Sequence, residues 1–342
     1  MILGESESEM RLVTFRVHTE SRVGLVKDGR VIDLNSAYAL YLRDVEGEDD
    51  ARRIADTFTP PDMKAFLRIG ERGLAAAREV YKFIDVDEDA RGIDGEKTVF
   101  NLDEVRLGAP IPNPDKVYCL AVNYYSHFAE VMGVSLEEAK RRVKSWGLTV
   151  PVIFQKPSTS IIGPGDPIMI PRVSSKVDYE VELAVVIGKR GKYIPKEKVG
   201  EYIAGYMVFN DVSFRDQGFP KSDFKYYKQI NWVKGKGLDN SAPTGPQLVT
   251  KDEIPNPYNL KMFTRVNGEV RQEGNTGDMI IKIPEIIEYL SNGVTLNPGD
   301  IISTGTCAGV ALVSGLYLKP GDVVEAEIEE VGVLSNPVIR EP

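Results

Sequence analysis

Val177-Asp178-Tyr179-Glu180-Val181-Glu182-Leu183-Ala184-Val185-Val186-Ile187 alternates apolar or aromatic with acidic side chains and then runs wholly apolar. Side chains two apart on an extended chain share a face. The spacing therefore predicts a strand with Asp178, Glu180 and Glu182 on one side, about 7 Å between successive ones, and Tyr179, Val181 and Leu183 on the other. The apolar continuation is that of a buried strand. Carboxylates facing one way at the mouth of such a strand repel one another, and loss of solvent adds to the cost. A paired cation, raised pKa values or a wet edge would each resolve the conflict.

A second acidic group lies downstream. Residues 204–213 read as an apolar strand ending in Asp211, followed by Arg215 and Asp216. Carboxylate oxygens gathered at adjacent strand ends suit Mg²⁺ or Mn²⁺, hard ions that prefer oxygen. No zinc pattern competes, because His18 and His127 are far apart and Cys119 and Cys307 form no close pair.

Around this centre the chain divides in two. Residues 11–17 and 23–34 alternate as short strands about the turn Lys27-Asp28-Gly29, and residues 62–83 carry helical spacing with a break expected at Gly70 or Gly73. The proline-rich stretch 109–114 cannot be crossed by a helix and reads as a linker. We therefore expect a small α/β unit over 1–108 and a second unit over 109–342. In the second unit short strands recur between glycine and proline turns. One helix opens on a capping box at Ser135 and runs towards Trp146, and another opens at Pro284 and stops by Gly293. Many strands with few helices indicate an α+β, β-rich fold.

With 42% hydrophobic and 27% charged residues, the 342-residue chain has the balance of an ordinary globular protein. Its net charge of −9 lacks the basic stripe of a nucleic-acid binder. It does not exclude an anionic substrate, since a bound metal reverses the local field. Two cysteines make a poor disulfide framework and are expected as reduced thiols. Residues 1–10 lack the basic flank and apolar run of a signal peptide, and the apolar run 183–187 is far too short to span a bilayer. The expectation is a soluble cytoplasmic protein without membrane partners.

Seven ordered stretches carry a resemblance to a known family. They are Asn123-Tyr124-Tyr125-Ser126-His127-Phe128-Ala129-Glu130, Phe154-Gln155-Lys156-Pro157-Ser158, Gly163-Pro164-Gly165-Asp166-Pro167-Ile168 and Asp178-Tyr179-Glu180-Val181-Glu182-Leu183. Gly205-Tyr206 with Asn210-Asp211-Val212-Ser213-Phe214-Arg215-Asp216, Val266-Asn267-Gly268-Glu269 and Pro298-Gly299-Asp300 through Gly305-Thr306 follow. Together, across residues 112–337, they resemble the fumarylacetoacetate hydrolase family.

That resemblance implies a mixed β-roll like the family's C-terminal domain, with a divalent cation held by Glu180, Glu182 and Asp211. Mg²⁺ is the first expectation, with Mn²⁺ or Ca²⁺ as alternatives. It implies a small 2-oxo acid bound through its keto and carboxylate oxygens, and a homodimer or higher homo-oligomer. His127 and Glu130 match a water-activating His-x-x-Glu pair on a short lid-like helix. Lys236, with Lys234 beside it, falls where a lysine faces the substrate. Arg215 matches a substrate-side arginine, and Thr304 or Thr306 a carboxylate-binding loop. Lys156 is placed with them, a surface position or one in the metal's shell being its alternatives.

The chemistry agrees with this set. Cleaving a carbon–carbon bond beside a ketone leaves electrons that must become an enolate, which a chelating cation stabilises. Histidine has a suitable pKa to deprotonate water, and a glutamate one helical turn away can orient it. The leading expectation is hydrolysis of an acylpyruvate-like 1,3-dioxo acid. Oxaloacetate-type decarboxylation, and isomerisation, hydration or dehydration of 2-oxo sugar or muconate-derived acids, are rivals on the same site. A non-catalytic, metal- or ligand-binding protein is the competing class. Three departures bear on substrate choice: the long interval 131–150, Gly218 and Gln217 where the family often has glutamine at the later position, and Cys307 where proline is usual.

Overall fold

The strand Val181–Ile187 lies in the middle of the largest sheet, and every one of its residues is buried. The computed structural model describes residues 10–86, 90–218 and 231–342. The reading of residues 1–10 as lacking a targeting signal falls, Met10 apart, outside them. Among the described residues twelve strands join in this sheet. Its centre runs in the order Ala242–Thr250, Ile203–Asn210, Val181–Ile187, Ile301–Thr306, Val117–Ala121, Val152–Lys156. Ile301–Thr306 and Val117–Ala121 pair in parallel; the other neighbours in this series are antiparallel. On the far side Arg11–Val17 pairs with Ala242–Thr250 and leads to Glu20–Lys27, Arg30–Asp33 and Val99–Asn101, so the first hundred residues extend the same sheet.

Both faces of the central strand are covered, which explains why its sequence, Glu182 apart, is apolar. Val181, Leu183, Val185 and Ile187 pack against Met262, Ala326, Ile328 and Leu334 and against the helix Ile283–Ser291. The first of these partners belong to a second sheet in the order Glu269–Asn275, Lys261–Val266, Val323–Ile328, Gly332–Arg340, Ile168–Ile170. Ala184 and Val186 face the opposite layer with Met207, Phe209, Phe66, Leu67 and Val80, the last three on the helices Met63–Ile69 and Glu71–Phe83. Each fully buried Val or Leu of this kind stabilises by about 1.5–3 kcal/mol.

Local signals account for the helix boundaries. The 62–83 segment breaks at Gly70, which has φ 69° and separates the two helices, whereas Gly73 sits inside the second. Ser135 caps Leu136–Trp146, its hydroxyl accepting from Glu138 N at 3.2 Å. Leu34–Tyr41 and Ala51–Phe58 are helices that the alternation reading did not anticipate.

The expected single carboxylate strand is two strands. Val177–Asp178 pairs with Ser213–Phe214, and Val181–Ile187 enters the large sheet, with Tyr179 and Glu180 between them. Three side chains replace the lost ladder bonds, so no buried N–H is orphaned. Tyr179 N donates to Asp178 Oδ1 at 2.8 Å, Glu180 N to Asn210 Oδ1 at 3.0 Å and Val181 N to Gln272 Oε1 at 3.0 Å. Asp178 consequently leaves the shared face and is held elsewhere, while Glu180 and Glu182 converge.

Candidate metal centre and active site

Glu180, Glu182 and Asp211 are all buried, and each offers a carboxylate oxygen within 4.8 Å of the others. Glu180 lies on the strand break, Glu182 one residue into the central strand, and Asp211 just past the end of the neighbouring strand Ile203–Asn210. Asp211 N donates to Glu180 O at 2.9 Å, which locks the two strand ends together. Glu182 accepts from Ser303 Oγ at 2.5 Å and Gly305 N at 2.9 Å through one oxygen, Oε2. A β-bulge in Ile301–Thr306 aims that N–H, and Gly305 adopts φ 94°, which a side chain would strain.

Lys236 ends the short helix Trp232–Lys236, capped by Asn231, and its Nζ reaches Glu180 Oε2 at 2.5 Å and Asp211 Oδ2 at 2.6 Å. The neighbouring Lys234 is exposed, so Lys236 is the lysine of this segment that enters the site. Its Nζ also lies 5.2 Å from the centre of the Phe154 ring, which stacks on Trp232 at 4.7 Å. Arg215 bridges Asp178 and Glu180, with Nε to Asp178 Oδ2 at 2.7 Å. Asp178, fully buried, also accepts from Ala311 N at 2.6 Å and Leu312 N at 2.9 Å.

Lys156 is 0% exposed and does not line the pocket; its Nζ donates to Asp211 Oδ1 at 2.7 Å and Val212 O at 3.0 Å. It therefore lies behind Asp211, as a buried counter-ion to that carboxylate. Thr304 Oγ1 donates to Leu183 O at 2.9 Å, inside the sheet, whereas Thr306 lines the pocket and donates to Val181 O at 2.8 Å.

His127 sits on the helix Tyr125–Met132, with Nδ1 3.4 Å from Glu130 Oε2. The other Glu130 oxygen accepts from Gly309 N at 2.9 Å, and Asn123 pins the start of this segment to Ile281 and Thr304 O. A pocket of about 140 Å³ has His127, Glu180, Glu182, Arg215, Lys236 and Thr306 among its polar lining, with Leu120, Val131, Phe154, Phe214, Trp232 and Leu312 among its apolar walls.

The electrostatics fit a cation. Burial pushes the Glu182 carboxyl well above the usual range, and the negative charges of Asp211 and Glu180 push it further. Burial acts the same way on Glu180, but Lys236 and Arg215 outweigh it and hold that carboxyl below its ordinary value. Lys236 is raised although burial alone would lower it, because Asp211 and Glu180 favour its charged form. A hard divalent ion among three buried carboxylates would remove the strain that Glu182 carries.

The sequence reading did not assign Asp178, Asn210, Ser303, Gly305 or Gln272 to the site. The run Asn210-Asp211 and the turn before Thr306 were visible signals; Gln272, from the second sheet, had none.

The description "Fumarylacetoacetate (FAA) hydrolase C-terminal" matches residues 116–339. The chain belongs to the fumarylacetoacetate hydrolase family. This family member is 39% identical over 336 residues to the mitochondrial oxaloacetate tautomerase fahd2 of Xenopus laevis, covering 96% of this chain and 90% of that one. It is 38% identical over 339 residues to the mitochondrial oxaloacetate tautomerase FAHD2A of Homo sapiens, covering 97% and 92%. Among solved structures, maleylpyruvate hydrolase from Sphingobium sp. SYK-6, crystallised with manganese(II) and pyruvate, aligns with a TM-score of 0.67 at 27% identity, covering 97% of this chain and 100% of that one. A 2-hydroxyhepta-2,4-diene-1,7-dioate isomerase from Mycobacterium marinum aligns at 0.65 and 29% identity, covering 97% and 99%. The sheet-rich α+β architecture expected from the strand pattern is the one found, and the family member is an enzyme. Among the described residues no helix is long and apolar enough to cross a membrane.

Proposed function

We propose that this enzyme interconverts the enol and keto forms of a short 2-oxo dicarboxylic acid such as oxaloacetate, with a divalent cation in the carboxylate triad. The observation that carries the proposal is the convergence of Glu180, Glu182 and Asp211 on a pocket that His127 and Lys236 also line. The oxaloacetate tautomerases similar to this chain along nearly its whole length support the substrate class.

Tautomerisation breaks a C–H bond beside the ketone, forms an O–H bond, and reverses both. Mg²⁺ or Mn²⁺ held by Glu180, Glu182 and Asp211 would supply positive charge beside the developing enolate. His127, oriented by Glu130, exchanges the proton at carbon. The Lys236 ammonium offers a proton and charge stabilisation at the oxygen. Arg215 supplies a fixed cation for a substrate carboxylate.

A second reading is hydrolysis of an acylpyruvate. It is favoured by the anchoring of Glu130 through Gly309 N, which would fix His127 as the base for a water molecule. We also infer a homodimer or higher homo-oligomer, to be checked by light scattering, and a reducing compartment, cytosol or mitochondrial matrix, consistent with free Cys119 and Cys307.

The test follows loss of the oxaloacetate enol absorbance, release of CO₂ and cleavage of acetylpyruvate in parallel, with Mg²⁺ and with EDTA. Enol loss accelerated by the enzyme and abolished by EDTA is the expected result. Acceleration indifferent to EDTA overturns the proposal, and acetylpyruvate turnover faster than tautomerisation moves the assignment to the hydrolase reading.

A further inference from the structure

Gln272 belongs to the second sheet, yet its side chain ends against the backbone between Glu180 and Glu182. Its strand Glu269–Asn275 pairs with Lys261–Val266 through a bulge: Val270 lies opposite Arg265 and Gln272 opposite Thr264, so Arg271 is the extra residue. A bulge re-aims the side chains beside it. Gln272 is 1% exposed, and all four hydrogen-bonding positions of its amide are filled. Oε1 accepts from Val181 N at 3.0 Å and Thr264 Oγ1 at 2.8 Å; Nε2 donates to Thr306 Oγ1 at 2.9 Å and Cys307 O at 3.0 Å.

The partners decide what this amide does. Val181 stands between Glu180 and Glu182, so the Oε1 bond fixes the backbone from which both carboxylates project. Thr306 and Cys307 open the loop whose later N–H groups hold Glu130 through Gly309 and Asp178 through Ala311 and Leu312. Asp178 in turn holds Arg215. The loop and the strand also touch directly: a side chain at Gly309 would overlap the Arg271 carbonyl, and one at Gly274 would lie 2.5 Å from Cys307 Cβ. One amide thus joins the backbone of two cation ligands to the loop that orients the histidine's partner and the arginine's partner.

We propose that Gln272 is a positioning residue of the metal centre, setting the spacing of Glu180 and Glu182 and keeping the 306–312 loop in register with them. The inference rests on the triad as a cation site. Its first readout is made without substrate, so failure of the tautomerase assignment would not be mistaken for failure here.

The experiment compares Gln272→Met, close in shape but without the amide, with Gln247→Met. Gln247 is another fully buried glutamine, whose amide donates to Val331 O at 3.0 Å, and it lies outside the site. Mn²⁺ affinity of cation-stripped protein is measured by titration calorimetry, alongside thermal melting in EDTA and kcat and KM for oxaloacetate. Gln272→Met is expected to weaken Mn²⁺ binding at least tenfold and to lower kcat more than it raises KM. Gln247→Met is expected to lower the melting temperature while leaving Mn²⁺ affinity within twofold. If both variants bind Mn²⁺ as wild type does, or both lose it in proportion to their lost stability, or wild type binds none, the proposal is overturned. Should Gln272→Met not fold, Gln272→Glu decides. It keeps an acceptor for Val181 N and Thr264 Oγ1 but places a second oxygen against the Cys307 carbonyl. Retained Mn²⁺ binding with kcat reduced at least tenfold supports the proposal, and kcat within twofold of wild type overturns it.

Discussion

Lys156 Nζ lies 2.7 Å from Asp211 Oδ1, in a position with no solvent exposure, while the other oxygen of the same carboxylate meets Lys236 at 2.6 Å. Asp211 is thus held from two directions by buried cations. Within this cluster, the four carboxylates of Asp178, Glu180, Glu182 and Asp211 face the three cations of Lys156, Arg215 and Lys236, which leaves one excess negative charge when all are ionised. A divalent ion would offset that excess within the cluster. Glu182, with no cation paired to it among the described residues, is where the imbalance is concentrated.

Cation binding should therefore stabilise the fold. Mg²⁺ or Mn²⁺ at about a hundred times its dissociation constant should add about 2.7 kcal/mol. Differential scanning calorimetry would show a higher melting temperature that EDTA reverses. Glu182→Gln should lose most of this shift while remaining folded without the ion.

Lys236→Met should separate binding from turnover. Removing the ammonium leaves Glu180 and Asp211 facing each other across the site, and breaking a buried pair in this way costs about 3–5 kcal/mol in the cation-free protein. Mn²⁺, free of a competing charge, should bind at least as tightly as in wild type. Tautomerisation should be lost. Weaker Mn²⁺ binding in this variant would contradict the geometry.

His127→Asn should lower kcat by about 10²–10⁴-fold, the range for a lost acid–base group. Glu130→Gln should give a smaller loss, because it weakens the orientation of the imidazole without removing it. Neither should move the Mn²⁺ affinity, since neither side chain is a ligand of the triad.

Gly305→Ala should damage the site through the backbone. At φ 94°, a side chain costs about 1–3 kcal/mol. The N–H that holds Glu182 at 2.9 Å moves with it. Reduced Mn²⁺ affinity together with reduced stability is the expected pair of results.

Alkaline solution should destabilise the protein through Cys307. Burial pushes its thiol up to about 12 from an ordinary value of 9.0. The unfolded chain therefore releases this proton at lower pH than the native one. The stabilisation is complete below the ordinary value and is lost as pH rises from it towards the raised one, by about 1.4 kcal/mol per pH unit. Urea titrations from pH 8 to 10 should show stability beginning to fall near pH 9. At pH 8 the native thiol should resist iodoacetamide and react once urea unfolds the chain.

The sequence determined a good deal by itself. The apolar run 183–187 implied a strand covered on both faces, because no solvent-facing residue interrupts it. Ser135 and Pro284 marked helix starts, because caps and first-turn prolines satisfy local backbone needs that a short window reveals. The family was legible in the order of its short motifs. Glu180, Glu182 and Asp211 were singled out by that resemblance, and their carboxylate oxygens lie within 4.8 Å of one another.

Only the tertiary structure decided how they converge. The alternation that predicted one strand broke between Asp178 and Val181, because the N–H groups released there found the side chains of Asn210 and Gln272, residues 30 and 91 positions away. Lys156 resembled a pocket residue in sequence but became a buried counter-ion to Asp211, since the two meet only when distant strands are assembled. Local pattern reports what a residue needs, a buried face, a cap or a cation. Which distant group meets the need depends on the packing of one sheet against another, and that information is spread along the whole chain.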